Sequence, residues 1–357
     1  MQKYSLFLLL IVVAISLMAG CNPLTPNTGE STITITDALD REVTFSDLPE
    51  RIVIAGRGTI IIVDALLAFP EGQQRLVAYA KTDQGKGSFT QVLLPALDTV
   101  FANDASAEEI ASHQPDVVLL KTYMQELGNA LDLLSIPVVY FSMETFEEYQ
   151  NELLTMGTLL GDAQRAEVLA GYYADIVTEV EQKTQEIAEK PTVLFLYYSS
   201  RDGTVAFNVP PLQWAQSEMV RRAGGNLVWS SIPLENNWTI VNFEQVAAWN
   251  PDIIFLTAYF DNVDLIKQQL IDDPQWQALS AVDSGNIYAS PTAFYAGDQP
   301  HSRWGIAQLW YAQKINPQNY LDYDFHLLAN DFYALFYGWS PDKYEQVIRP
   351  ILQGDID

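Results

Sequence analysis

Asp162-Ala-Gln-Arg-Ala-Glu-Val-Leu-Ala-Gly-Tyr-Tyr-Ala-Asp-Ile-Val-Thr-Glu-Val-Glu-Gln-Lys-Thr-Gln-Glu-Ile-Ala-Glu-Lys190 is the stretch that decides the fold. It reads as one uninterrupted helix, with Asp162 as N-cap and Pro191 as its stop. Ala166, Leu169, Tyr173, Ile176 and Val180 recur at spacings of three and four, which places one apolar stripe on one face. Beyond Val180 the stripe gives way to Glu, Gln and Lys. Glu179 stands four residues before Lys183 and Glu186 four before Lys190, pairs that support a helix face in water. At about 1.5 Å per residue such a helix spans roughly 40 Å, the width of a small domain.

Two copies of one pattern flank it. The first runs from Glu108 through Pro115-Asp116 to Leu120, the second from Glu244 through Pro251-Asp252 to Leu256. In each, a Glu lies seven residues before the Pro-Asp pair and a four-residue apolar run follows. A short helix ended by Pro and followed by a buried strand of a mostly parallel sheet accounts for both. The repetition about a long helix predicts an α/β protein of two β/α lobes joined by one long rigid helix.

The chain opens with Lys3, an apolar run from Leu6 to Leu17, and Met18-Ala-Gly-Cys21. The run is too short to span a membrane comfortably and ends on small residues, so residues 1–20 read as a secretory signal. The Ala-Gly-Cys ending resembles a bacterial lipoprotein signal, with Met18 where Leu is usual. That resemblance implies cleavage before Cys21 and lipid on its thiol. Cys21 is the single cysteine of the chain, so no disulfide can form within it. Residues 21–31, with Pro23 and Pro26, read as a tether. The expected divisions are a lobe over 32–160, the linking helix over 161–190, and a second lobe with closing helices over 191–357.

A formal charge of −26 from 45 acidic and 19 basic residues argues against a nucleic-acid partner. No segment after the signal has the length and apolarity of a membrane span. The protein is thus expected outside the cytoplasm, held to the membrane at one end.

Ile33–Asp37 and Asp40–Phe45 read as a hairpin. The first lobe should then hold strands at 52–55, 75–80, 117–121 and 137–142, with helices at 59–68, 106–113, 125–134 and 146–160. The second should hold strands at 192–198, 205–208, 253–257 and 286–289, with helices at 213–222, 243–249 and 261–270. Helical patterns at 302–315, 325–336 and 341–352 close the chain. Gly56-Arg57-Gly58 follows a strand, but the third glycine of a dinucleotide fingerprint would fall on Ile61.

The opening Ile33-Thr-Ile-Thr-Asp37 with Arg41-Glu-Val43, then Pro49-Glu-Arg51-Ile-Val, resembles the start of iron-complex and cobalamin substrate-binding proteins of ABC importers. So do the paired Glu-to-Pro-Asp units, Ala223-Gly-Gly-Asn226, and the run from Leu309-Trp-Tyr-Ala312 through Pro317 to Phe336-Tyr-Gly338. The resemblance covers about residues 32–350 in order. It implies two α/β lobes bridged by a rigid helix, a ligand cleft between them, and a monomer that delivers cargo to a permease dimer with its ATPase. It also implies one acidic residue per lobe docking on permease arginines, here Glu108 and Glu244. Like charges at a fixed separation set register and steer encounter more than they add affinity.

Ligands of open parallel sheets sit beyond the carboxyl ends of the strands. Those ends are expected to present Arg57, Lys81, Tyr123, Tyr198 and Arg201, and the facing loops Trp214, Trp238, Tyr295, His301 and Arg303. Aromatic area with guanidinium groups suits a large, partly aromatic, anionic metal chelate: an iron siderophore, haem or a corrinoid. Direct metal capture would want clustered ligands, and the three histidines, His113, His301 and His326, are scattered. No cofactor beyond the lipid on Cys21 is expected. A small oxyanion such as molybdate or tungstate, held by helix N-termini and hydroxyls, is the alternative cargo. A hydrolase is disfavoured, since the chain lacks the Gly-x-Ser-x-Gly elbow, the Walker loop and the His-Glu-x-x-His motif.

Overall fold

The computed structural model describes residues 32–81, 87–98, 100–185, 187, 189–200, 204–234 and 236–356. The signal, the tether, Cys21 and Arg201 lie outside the described residues. Along the chain come β1 (Ile33–Thr36), β2 (Glu42–Phe45), β3 (Ile52–Ile54), α1 (Thr59–Leu67), α2 (Pro70–Arg75), β4 (Leu76–Ala80), α3 (Phe89–Leu93), β5 (Val100–Phe101) and α4 (Ala107–Ala111). Then follow β6 (Val117–Lys121), α5 (Gln125–Leu133), β7 (Val138–Phe141), α6 (Phe146–Leu160) and the long α7 (Ala163–Thr184). The second half holds β8 (Thr192–Ser199), β9 (Ala206–Val209), α8 (Ala215–Arg222), β10 (Asn226–Leu227), β11 (Thr239–Val241), α9 (Phe243–Trp249), β12 (Ile253–Thr257), α10 (Val263–Asp272), α11 (Ser280–Asp283) and β13 (Ile287–Ala289). It closes with α12 (Trp304–Ile315), α13 (Phe325–Tyr337) and α14 (Pro341–Val347).

The protein is α/β, with one main sheet in each of two lobes and β1 and β2 as a separate antiparallel hairpin. The first sheet runs β5-β4-β3-β6-β7, every pair parallel. The second runs β11-β9-β8-β12-β13, with β10 beside β8. Its β8, β10, β12 and β13 are parallel, while β9 and β11 form an antiparallel margin. The central strands are buried on both faces, which is why they read as continuous apolar runs.

Helix α7 joins the lobes. Asp162 caps it by accepting from the Arg165 N–H at 3.0 Å, and Ala166, Leu169, Tyr173, Ile176 and Val180 are its buried residues. Against that stripe packs α6, and Gly157 sets how closely, since a Cβ there would stand 2.3 Å from the Ala166 Cβ. The helix ends at Thr184 rather than at Lys190. Past Val180 the stripe is exhausted, and Thr184 Oγ1 turns instead to the Arg222 carbonyl at 2.8 Å. The Glu179–Lys183 pair forms at 2.7 Å, whereas Glu186 lies outside the described residues.

The closing helices clasp the first lobe. Trp304 of α12 stacks between Phe146 of α6 and Tyr173 of α7, with ring centroids 4.1 and 4.5 Å away. Tyr333, Tyr337 and Trp339 surround Phe89 of α3. Arg165 donates to the Ala68 carbonyl in the first lobe and to those of Leu335 and Phe336 at the end of α13. The expected helix over 341–352 is instead α14 followed by a 3₁₀ turn at Arg349–Ile351, because Pro350 has no N–H to continue the ladder.

Candidate ligand-binding cleft

A cleft of about 610 Å³ opens where the carboxyl ends of the two sheets face each other. The first lobe supplies Gly58, Ile60 and Ile61 after β3, Tyr123 after β6, and Glu144 after β7. The second supplies Tyr197 and Ser199 at the end of β8, Asn208 of β9, Trp214 to Gln216 at the start of α8, and Trp238 and Ile240 around β11. Tyr259 and Phe260 after β12 and Gln299 and Pro300 complete it.

The second-lobe wall is a continuous aromatic face. Tyr197 lies 4.5 Å from Tyr259 and 4.9 Å from Trp238, and Trp214 meets Trp238 edge-on at 5.4 Å. Asp298 fixes that wall from behind. It is fully buried and accepts from Thr257 Oγ1 at 2.8 Å, the Tyr259 hydroxyl at 2.8 Å and Gln216 Nε2 at 3.4 Å. Burial raises the pKa of the Asp298 carboxyl, and the hydrogen bonds it accepts pull it back in part.

The first-lobe wall is built on tight turns. Gly58 has φ +67, and a Cβ there would stand 2.3 Å from the Tyr123 hydroxyl, which donates to the Arg57 carbonyl at 3.2 Å. Desolvation, helped by Glu144, pushes the Tyr123 phenol up to about 12. Glu144 pairs with Lys121 at 2.7 Å, and the fully buried Lys121 also donates to the Ser142 carbonyl. Glu148 caps α6 with Thr145 and accepts from Ser142 Oγ at 3.0 Å. Glu152 accepts from the Ser142 N–H at 2.8 Å, and burial pushes its carboxyl up to about 7.

Of the residues expected from sequence, Tyr123, Trp214 and Trp238 line the cleft together. Arg57 is exposed beside Gly58 at its lip, and Lys81 is exposed at the end of β4. Tyr198 points to the other face of β8 and packs edge-on against Phe207 at 5.9 Å. Tyr295, His301 and Arg303 are buried away from the opening. His301 Nε2 lies 2.8 Å from the Ala296 carbonyl. Arg303 is engaged by Asp64 of α1 at 2.6 Å; burial works against its charge, and the carboxylate more than restores it.

Tyr197, Tyr259, Glu144, Asn208 and Gln216 escaped the sequence reading. Tyr197 missed by one position: in a strand buried on both faces, apolar alternation does not say which side chain faces the opening. Among the described residues, no group of His, Cys, Asp or Glu is arranged to hold a metal ion, and no helix is long and apolar enough to cross a membrane.

The family profile described as Periplasmic binding protein matches residues 95–293. The chain is similar to the molybdate-binding protein MolA of Haemophilus influenzae, 25% identical over 334 residues that cover 87% of this chain and 92% of MolA. Its fold is similar to the crystal structure of a periplasmic solute binding protein from Veillonella parvula, with TM-score 0.73 and 25% identity over 90% of this chain and 98% of that one. It is also similar to the TroA-like periplasmic binding protein FepB of Veillonella parvula, with TM-score 0.70 and 18% identity over 86% of this chain and 97% of that one. Profile, cleft and helix-bridged lobes agree: the chain belongs to the periplasmic binding protein family, the extracytoplasmic solute-binding components of ABC importers, which is not a family of enzymes.

Proposed function

We propose that the protein captures a metal chelate, of the iron-siderophore, haem or corrinoid class, and hands it to the permease of an ABC importer. The observation that carries this reading is the cleft itself. Its volume of about 610 Å³ falls within the roughly 300–1,000 Å³ of organic-ligand sites. Its lips carry large exposed apolar side chains, Ile240 70%, Tyr123 57% and Phe260 46% exposed, beside Arg57 and Glu144. Exposed apolar side chains around an aromatic wall suit a ligand large enough to cover them. In this reading Tyr123, Trp214 and Trp238 contact cargo beside Tyr197 and Tyr259, Cys21 carries the membrane anchor, and Glu108 and Glu244 dock on the permease. Both glutamates are exposed in the first turn of a short helix, α4 and α9. The helix's own backbone N–H and Ser106 hold the Glu108 carboxyl below its usual range, so it stays charged.

A small oxyanion is the second reading. It is favoured by the name of the relative MolA, a molybdate-binding protein, and by the starts of α1 and α8. Their N-cap positions, Gly58 and Trp214, line the cleft and bring no side-chain cap, so N–H groups there are open to an anion.

Tryptophan fluorescence decides between them, because Trp214 and Trp238 report from the cleft. The purified protein is titrated with ferric siderophores, haem, cobalamin, molybdate and tungstate. Saturable quenching by one chelate at micromolar concentration or below supports the first reading. A response to the oxyanions alone overturns it in favour of the second.

A further inference from the structure

We infer that the cleft sorts chelates by charge, admitting cationic and neutral complexes and disfavouring polyanionic ones, with Glu144 as the acceptor that reads the charge. The inference rests on the chelate reading above and reverses the anionic cargo expected from sequence.

Two independent features point the same way. The first is the charge at the opening. Among the described residues that line the cleft, Glu144 is the one with a formal charge, its side chain 48% exposed, while the exposed Arg57 stands at the lip outside that lining. Lys121 does not cancel it. That ammonium is wholly buried behind Glu144, is tied to the Ser142 carbonyl, and shares its surroundings with Glu148 and Glu152. One cation therefore stands among three carboxyl groups, and its pairing engages Oε1 of Glu144.

The second feature is the opposite wall. Tyr197, Trp238 and Tyr259 form a contiguous set of rings, whose faces carry the negative end of the aromatic quadrupole. Asp298, behind Tyr259 and Gln216, locks the set in place. A chelate bridging the lobes would thus meet a carboxylate on one side and a cluster of aromatic rings on the other. An ammonium or N–H edge gains from both, while a polyanion must shed water against groups that repel it. Of the four basic residues expected to answer an anion, Arg303 is already held by Asp64, Arg57 and Lys81 are exposed outside the cleft lining, and Arg201 lies outside the described residues.

The test uses three ferric complexes: a trihydroxamate with a protonated amine arm, a neutral cyclic trihydroxamate, and a trianionic tricatecholate. Each is titrated against the purified protein and against Glu144→Gln and Glu144→Asp, with thermal unfolding run alongside to show that the variants fold. The monocation is expected to bind about tenfold tighter than the neutral complex, with the tricatecholate weakest. Glu144→Gln should remove that preference, so that the monocation and the neutral complex bind within about twofold of each other, and Glu144→Asp should keep most of it. Tightest binding by the tricatecholate overturns the charge inference while the chelate reading stands. So does an equal loss for all three complexes in Glu144→Gln, which would mark a structural role. Response to molybdate with none to any chelate overturns both.

Discussion

Asp116 and Asp252 occupy equivalent posts in the two lobes. Oδ2 of Asp116 accepts from the Arg51 N–H at 2.9 Å, and Oδ2 of Asp252 accepts from the Thr192 N–H at 2.8 Å. Each carboxylate thereby pins the start of the strand beside its own, β3 in one lobe and β8 in the other. In both copies the residue before Pro is left-handed, Gln114 at φ 51 and Asn250 at φ 40, and the helix before it carries the exposed glutamate in its first turn. The repeated motif is one supersecondary unit used twice, and it is what sets Glu108 and Glu244 at matching places.

That equivalence yields a transport prediction. Glu108→Arg with Glu244→Arg is expected to abolish uptake in cells while ligand affinity of the purified protein stays unchanged, since neither residue lines the cleft. A parallel fall in affinity would place the pair in the fold or the site instead of at the permease.

The Asp64–Arg303 pair joins α1 to the start of α12, with side chains 1% and 8% exposed. Arg303→Met alone strands a buried carboxylate and should cost about 3–5 kcal/mol in urea unfolding. Asp64→Leu combined with Arg303→Met should recover most of that loss. A single substitution costing under about 1 kcal/mol would mean that the pair is not sealed from water as described.

Glu152 gives the stability a pH dependence. Its carboxyl titrates near 7 when folded against a usual 4.5, with burial as the main cause. The folded state therefore holds the proton more tightly than the unfolded chain does. The associated stability is full below about pH 4.5 and drains away as pH rises through about 7, by about 3 kcal/mol at most. Glu152→Gln keeps an acceptor for the Ser142 N–H and removes the titration. Urea unfolding should find it more stable than the parent at pH 8 and close to it at pH 4.5; equal gains at both would sink the assignment.

Asp298 serves the cleft at one remove. Asp298→Ala takes away the shared partner of Thr257, Tyr259 and Gln216, and should cost about 1–3 kcal/mol of stability. It should also weaken cargo binding, with a changed emission from Trp238, which lies 6.0 Å from the Tyr259 ring. Unchanged affinity at reduced stability would make Asp298 a packing residue only.

The covalent order of residues by itself determined the α/β class, the linking helix with its five-residue buried stripe, and the twofold Glu-to-Pro-Asp unit. These are local: helical period, capping by Asp162 and termination at Pro are written into neighbouring side chains. It also pointed to Tyr123, Trp214 and Trp238, which the structure places in the cleft lining, because residues beyond the carboxyl ends of parallel strands face the cleft. The partners of the polar groups were decided only by the tertiary structure. Arg303 and Asp64 are far apart in the chain, and nothing local tells that one consumes the other. Tyr197 faces the cleft and Tyr198 does not, because the face of a doubly buried strand is set by the helices packed on it. The length of α7 beyond Val180 was likewise a tertiary matter, since a polar helical pattern persists only where something packs against it.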